Sequence, residues 1–263
     1  MRAQSAGSKI LDASAGAWLL VAGLGQLAFA AYVAAFYGRA AMSGTYGRWN
    51  EVLVGGWVAG GSFGNLVIGV HLALAISILV GGPLQLIPWL RARAMSLHRW
   101  NGRIYLTSVL VTSIAGLVAV WTRGTAGGVN LGIGISVNGV LIIVFAVQAW
   151  RTARSARLVA HRAWALRTFI AASGVWFFRV AMMLWIALNG GPAGFGAHFD
   201  GPFPTIASFA CYLVPLGMLE LYLRARTRGR AARVAMAVTL FLLTAAMAAG
   251  VVLATIGLWL PRM

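Results

Sequence analysis

Long apolar stretches alternate with short polar connections along almost the whole chain. A membrane-spanning helix needs about 20 apolar residues. Seven stretches meet that requirement, and they cover roughly residues 15–37, 66–90, 103–121, 130–150, 164–188, 205–223 and 234–260. Little sequence is left for a separate soluble domain. The pattern therefore predicts an all-α, polytopic integral membrane protein, with residues 1–263 forming a single transmembrane helical bundle of about seven spans.

The composition strengthens this prediction and excludes other classes of protein. Apolar residues make up 60% of the chain and charged residues only 10%, against roughly 25% charged residues in a soluble domain. A net charge of +17 would suggest nucleic acid as a partner of a soluble protein, but this apolar content indicates a membrane and no nucleic acid. With one cysteine, the chain is not a disulfide scaffold.

The positions of the cations predict how the bundle is oriented. Sixteen of the 21 cations lie at the N-terminus or in the connections that follow the second, fourth and sixth apolar stretches. Because basic residues accumulate on the cytoplasmic side of a membrane protein, we expect a cytoplasmic N-terminus and an exoplasmic C-terminus in a bacterial inner membrane. The same arginines are expected to contact anionic lipid headgroups.

The first apolar stretch also has features of a cleaved secretory signal. Cations precede it, and the small-residue pattern Ala28-Phe29-Ala30 imitates a cleavage site. The apolar run continues to Phe36, which favours an uncleaved first helix.

Several motifs between Gly81 and Glu220 give a family resemblance. They are Gly81-Gly82-Pro83-Leu84-Gln85, then His98-Arg99-x-x-Gly102-Arg103-x-Tyr105, then His161-Arg162-x-Trp164-x-x-Arg167, then Arg179 and Glu220. From about His71 to Glu220 the chain resembles a bacterial family of multi-pass membrane proteins that is catalogued as a domain of unknown function. The resemblance implies a fold and a topology but no activity. One departure is Ala163, where this family usually has arginine.

Two His-Arg pairs begin the third and fifth predicted helices on the same side of the membrane. Histidines on facing helices are the usual axial ligands of a b-type haem. His98 and His161 are therefore candidate haem ligands, and nearby arginines could bind the propionates: Arg99, Arg103, Arg162 and Arg167. The alternative is that these juxtamembrane residues contact anionic lipid or form structural hydrogen bonds.

The other two histidines offer weaker sites. His71 is a candidate cofactor ligand on the second helix, but its only histidine partner on the outer side would be His198 in a loop. A metal site that combines these two with Asp200 lacks diagnostic spacing, so we expect no metal. A buried histidine with one hydrogen bond is the default interpretation of His71.

Two charged residues fall inside predicted helices. Arg179 lies twelve residues beyond Arg167, about 18 Å deeper at 1.5 Å per residue, so it must face the bundle interior and meet a carboxylate, carbonyl groups or a bound anion. Glu220 precedes Arg224 by four residues, a spacing that favours a local ion pair. Its alternative partners are Arg162 and Arg167 on the fifth helix.

The functional hypotheses follow from these candidates and from what is missing. The chain has no Walker phosphate loop and no His-Glu-x-x-His motif, which argues against an ATPase or a metallohydrolase. The leading hypothesis is a haem b electron-transfer protein with a membrane-bound redox partner. The alternative is a small-molecule transporter or an accessory subunit of a larger complex. Gly81-Gly82-Pro83 would support transport if it broke the second helix and freed carbonyl groups, of which Gln85 could satisfy one.

Overall fold

The computed structural model describes residues 6–263, and within this range the chain folds into helices joined by turns and loops. Inside a bilayer the backbone must satisfy its own hydrogen bonds, which is why the apolar stretches become helices. The α-helices are α1 (Ala6–Val33), α2 (Arg39–Met42), α3 (Ser62–Leu86), α4 (Pro88–Arg93), α5 (Met95–Arg123), α6 (Gly128–Arg154), α7 (Leu158–Ala172), α8 (Gly174–Asn189), α9 (Pro202–Thr227) and α10 (Arg230–Ala254). Single π-helical turns, Ala34–Gly38 and Thr255–Trp259, extend α1 and α10.

Six helical segments are long and apolar enough to cross a membrane, and α7 with α8 makes a seventh when the bent pair counts as one span. The contacts of the first and last helices favour seven. A Cβ on Gly7 would lie 3.3 Å from Arg230 Cγ, and Arg39 at the other end of α1 donates a hydrogen bond to the carbonyl of Met263. The two helices therefore run in parallel, which requires an odd number of crossings. The predicted all-α polytopic bundle is confirmed.

The predicted fifth span is not one straight helix. It bends by 49° where α7 gives way to α8, at Ser173 and Gly174. Sharp kinks commonly occur at Gly/Ser pairs. The Ser173 hydroxyl donates to the carbonyl of Phe169 at 2.7 Å and accepts a hydrogen bond from Gln26 Nε2 at 2.9 Å. The bend is thus fixed by a buried side chain from α1, which no pattern within residues 164–188 could reveal.

The bend divides the packing of this span between two groups of helices. The half before it, α7, packs mainly on α6, which packs on α5, and α5 packs on α3. The half after it, α8, packs mainly on α10, which packs on α1. The core of this second group is aromatic, and its buried members include Phe29, Tyr32, Phe36, Trp176 and Trp259. The remaining span, α9, lies against α6, α7 and α8 and has fewer contacts with α10.

The arginines that predict the orientation lie mostly on helix ends, not in loops. The connections between α4 and α5, α6 and α7, and α9 and α10 are only one to three residues long. Arg226 at the end of α9 donates a hydrogen bond to Asp12 near the start of α1 at 2.9 Å. This end of the bundle, formed by the beginnings of α1, α5, α7 and α10 and the ends of α3, α6 and α9, is called the arginine-rich end below.

The glycine–proline motif does not break its helix. The helix α3 runs through Pro83 and ends three residues later. Asn101 on α5 donates a hydrogen bond to the carbonyl of Gly81 at 2.9 Å. Gln85 does not bond to a carbonyl of α3 but donates to the carbonyl of His98 at 2.9 Å. The helix therefore continues through the motif, without the break that the transport hypothesis requires.

At the opposite end, one arginine holds the longest connection, residues 43–61, against the bundle. Arg123 at the end of α5 donates hydrogen bonds to the carbonyls of Gly55 at 3.2 Å and Gly61 at 3.0 Å, and to the Asn65 side chain at 3.1 Å. The Trp49 indole in the same connection donates to the carbonyl of Tyr37 at 3.2 Å. The connection is thus a folded cap, not a free loop.

Replacing Arg123 with alanine is expected to loosen this cap. Hydrogen bonds from a charged donor contribute about 1.5–3 kcal/mol each, so losing even one should speed amide exchange in residues 43–61 by about tenfold or more. Hydrogen–deuterium exchange measures the effect. Arg48→Ala is the matched control, because the 50% exposed Arg48 side chain forms its ion pair with Glu51 inside the connection. Its other contact, with the Phe36 ring at 5.2 Å, is a cation–π contact worth only about 0.5–1 kcal/mol at an exposed site. Equal exchange rates in the two variants would show that Arg123 does not hold the cap.

Candidate functional site

A cavity of about 2010 Å³ opens at the arginine-rich end of the bundle. Its walls come from α1, α5 and α7, with the ends of α3 and α6 contributing further side chains. From there it continues along α9, between α8 and α10, as far as Trp185 and Phe203. These two rings stack with their centroids 4.9 Å apart. The cavity thus has a charged end and a long apolar arm.

His98 and His161 both line the charged end of this cavity. Each is the fourth residue of its helix, α5 and α7, and both helices pack on α6, which lies between them in the sequence. Arg91 lines the same end of the cavity as the two imidazoles. The structure therefore brings together the two histidines that the sequence singled out.

The ring nitrogens of these two histidines differ in their hydrogen bonding. His161 Nδ1 lies 2.9 Å from the carbonyl of Ala149. A carbonyl can only accept, so this nitrogen carries the proton and Nε2 is left with its lone pair. Within residues 6–263, His98 Nδ1 is buried without a hydrogen-bond partner. Each imidazole thus retains one ring nitrogen that no protein group uses.

The arginines near these histidines take different positions. Arg99, Arg103 and Arg162 line the cavity together with the histidines. The Arg103 guanidinium also lies over the Trp100 ring, 5.2 Å from its centroid. Arg167 does not line this cavity. Three of the four arginines suggested for propionate binding are therefore available beside the histidines.

Arg167 instead forms a bidentate ion pair with Glu220. Its Nε and Nη2 donate to the two carboxylate oxygens at 2.7 and 3.0 Å. The pair lies in a separate groove of about 500 Å³ between α6, α7 and α9, where the Arg167 guanidinium also covers the Trp164 ring at 4.7 Å. Of the partners weighed for Glu220, the structure thus contains Arg167, not Arg224 or Arg162, and the pair joins α7 to α9.

A double-mutant cycle on Arg167 and Glu220 should show that this pair stabilises the bundle. Because the side chains are 21% and 39% exposed, we expect a coupling energy of about 1 kcal/mol, the upper end for exposed pairs. Arg167→Ala, Glu220→Ala and the double variant would be unfolded by titration with a denaturing detergent. The Arg226–Asp12 pair is 36% and 41% exposed and serves as a weaker matched cycle. A coupling below about 0.3 kcal/mol, typical of independent sites, would contradict this role.

His71 lies apart from the other histidines. Its Nδ1 is 3.0 Å from the carbonyl of Thr112 on α5, and its ring faces Gly116, where a Cβ would lie 3.2 Å from His71 Cε1. It does not line the large cavity. This is the arrangement of a buried histidine with one hydrogen bond, and no second histidine is paired with it in the described part of the chain.

His198 and Asp200 lie in the exposed loop before α9, where the His198 backbone N–H donates to the Asp200 carboxylate at 3.4 Å. Among residues 6–263, no group of three or more His, Cys, Asp or Glu side chains is arranged to hold a metal ion. The combination of His71 with these two residues is therefore not formed.

Arg179 is half-buried in α8 and has no carboxylate partner among the described residues. Its guanidinium lies 5.2 Å from the centroid of the Phe29 ring, and Nη1 donates a 3.4 Å hydrogen bond to the carbonyl of Val175. Glu51 pairs with Arg48 instead. An aromatic face and a carbonyl therefore take the place of the carboxylate or bound anion considered for this charge.

Sequence reasoning missed Asn101 and the carbonyl of Ala149. Asn101 joins α5 to α3 through Gly81, and Ala149 orients the His161 ring. An amide at the start of an apolar helix is a signal that a partner is needed, and Asn101 lies between His98 and Arg103 of the motif. A backbone carbonyl gives no such signal, because every residue carries one.

Comparison with known proteins adds one finding. The model of a family described as "Predicted membrane protein (DUF2306)" matches residues 68–223, more than half of the chain. The matched segment contains α5, α6, α7 and α8 in full and most of α3 and α9. No curated protein and no solved structure shows significant similarity to the chain.

Proposed function

We propose that this chain, which belongs to the DUF2306 family of predicted membrane proteins, is a b-type haem protein that transfers electrons in the membrane. In this proposal His98 and His161 would hold the haem iron. One observation carries it: two histidines from different helices line the same cavity, and each has a ring nitrogen without a protein partner. Bis-histidine ligation between helices is the usual binding mode of a b-type haem in a helical bundle.

The hydrogen bond of His161 supports its role as a ligand. Metal-bound histidines almost always donate their second ring N–H to a carbonyl or a carboxylate, which fixes the ring and makes the free nitrogen more basic. His161 has this arrangement, with Nδ1 bonded to the carbonyl of Ala149. His98 has no such second bond, because its Nδ1 is buried without a hydrogen-bond partner among residues 6–263. A metal bound at this nitrogen would satisfy it, and burying an unused polar atom is costly.

The residues that line the cavity suit the propionates and the macrocycle of a haem. Arg99, Arg103 and Arg162 would hold the propionates through charge-assisted hydrogen bonds. Leu106, Leu166 and Phe169 supply apolar walls for the macrocycle. A bound haem would supply one-electron transfer, and the residues of this chain would set its ligation, its solvent access and the charge around it.

The location of the site at one end of the bundle suits the exchange of electrons with a redox partner at the membrane surface. We propose that the arginine-rich end faces the cytoplasm of a bacterial cell, because arginines accumulate on that side of the inner membrane. The charged mouth of the cavity would then be open to a partner that is itself membrane-bound. The same arginines would contact anionic lipid headgroups around the mouth.

An absorption spectrum tests the proposal directly. Protein purified in mild detergent, from cells supplied with a haem precursor, is expected to show a Soret band and the sharp α and β bands of reduced six-coordinate haem b. Titration of the apoprotein with hemin should saturate at one haem per chain. Absence of a Soret band after both treatments, in a monodisperse and folded sample, would refute haem binding.

A further inference from the structure

The apolar arm of the cavity follows one face of α9. The residues of this helix that line the arm recur every three or four positions, as on one side of an α-helix. They include Phe203, Ile206, Ala210, Val214, Met218 and Tyr222, and the adjacent Ala207, Cys211, Pro215 and Leu219 follow the same spacing. From Phe203 to Tyr222 the arm is about 29 Å long, at 1.5 Å per residue. That length is about twice the roughly 15 Å that one leaflet contributes to the hydrocarbon core, so the arm is long enough for a fully extended acyl chain.

The arm is open toward the side of the bundle. Ile206 and Val214 line it and yet are 67% and 58% exposed, and Leu243 on α10 is 39% exposed. The helix α9 has few contacts with α10, so little side-chain packing separates the arm from the surroundings. A molecule dissolved in the bilayer could therefore enter sideways between α9 and α10.

The charged end of the same cavity favours an anionic head. Six arginines line it, against a single carboxylate, that of Asp12. They are Arg91, Arg99, Arg103, Arg154, Arg162 and Arg226. Asp12 is already paired with Arg226. The uncompensated positive charge thus lies at one end of an apolar arm of membrane length.

We infer that this arm binds one anionic phospholipid, with an acyl chain along α9 and its phosphate at the arginines. The volume supports a second occupant beside a haem, because about 2010 Å³ exceeds the roughly 300–1,000 Å³ of a pocket for one small ligand. Arg91 and Arg154 are the lining arginines that neither the propionates nor Asp12 would occupy, so the inference stands whether or not a haem is bound at the histidines.

Native mass spectrometry of the detergent-purified protein tests this inference with two neighbouring substitutions on α10. Ala246 lines the arm and Ala245 does not, although both are exposed. After addition of phosphatidylglycerol, the wild type and Ala245→Phe should retain one lipid per chain. Ala246→Phe should lower the retained fraction roughly tenfold, because a benzyl group overfills the arm. Equal retention by the two variants, both monodisperse, would overturn the inference.

Two further measurements complete the test. Phosphatidylcholine, which carries no net charge, should bind at least about tenfold more weakly than phosphatidylglycerol, and equal binding would overturn the role of the arginines. Cys211 is the only cysteine and lines the arm. Its reaction with a membrane-soluble maleimide should slow when phosphatidylglycerol is bound, and an unchanged rate would place the lipid elsewhere.

Discussion

Replacing His161 with glycine is expected to abolish the Soret band of protein purified as the wild type is. The substitution removes the imidazole that we propose as a haem ligand and that the Ala149 carbonyl orients. Loss of a mere outer partner of a metal-bound histidine already lowers affinity by about 10–100-fold, so loss of the ligand itself should leave little haem after purification. His98→Gly should have the same effect, because both ligands serve one iron. The measurement is the haem-to-protein ratio from the reduced pyridine hemochrome spectrum.

The control and the rescue make this result specific. His198→Ala changes an exposed histidine outside the cavity and should leave the spectrum unchanged. Adding imidazole to His161→Gly should restore a six-coordinate spectrum, since a free ligand can enter the space that the side chain left. A Soret band that persists in both His98→Gly and His161→Gly would mean that haem binds at another place. His71→Ala would then be the next variant to measure.

Replacing Gly250 with alanine is expected to destabilise the bundle by about 1–3 kcal/mol, the usual cost of overfilling a packed core. Gly250 lets α10 approach α8 closely, and a Cβ there would lie 2.8 Å from the carbonyl oxygen of Val180 and 2.7 Å from its Cγ1. The side-chain methyl can rotate away, but the carbonyl belongs to the α8 backbone and cannot move alone. The two helices would have to separate. Their separation would also disturb the contact that α8 makes with α1 through Trp176.

Gly217→Ala provides the matched control for this variant. Gly217 also lies within a membrane-spanning helix, but a Cβ there would have no heavy atom within 4 Å. Alanine is the better helix former, so this variant should be as stable as the wild type or slightly more stable. Thermal unfolding in detergent compares the two. If Gly250→Ala and Gly217→Ala unfold at the same temperature, then α8 and α10 are free to move apart at this position.

The sequence predicts the crossings well because a bilayer imposes one requirement on each of them. Any apolar run of about 20 residues satisfies it as a helix, and the predicted stretches agree with the helices apart from the bend between α7 and α8. The bend depends on Gln26, which lies 147 residues away from Ser173. A contact of this kind exists only after the helices pack, so periodicity within one stretch does not contain it.

The candidate site shows the same division between local and tertiary information. His98 and His161 could be predicted to lie at a similar depth in the membrane, because both lie near helix starts at the same end of the bundle. The orientation of the Arg167 side chain toward Glu220 could not be predicted, because it depends on how α7 is rotated about its axis relative to α9. Arg179 could be predicted to need a partner, yet the face of Phe29 serves that purpose only because α8 packs beside α1.

The parallel pairing of α1 with α10 has a consequence for how the protein is made. These helices are the first and last of the described chain to leave the ribosome, and they form one of its most extensive interfaces. Until α10 is synthesised, Val180 and the other α8 residues that pack on α10 lack their partners. Lipid can cover them meanwhile at little cost, because acyl chains are as apolar as the missing helix. The packing of α1 and α8 against α10 therefore forms only after α10 has been synthesised, and contacts of such long sequence separation are slow to form.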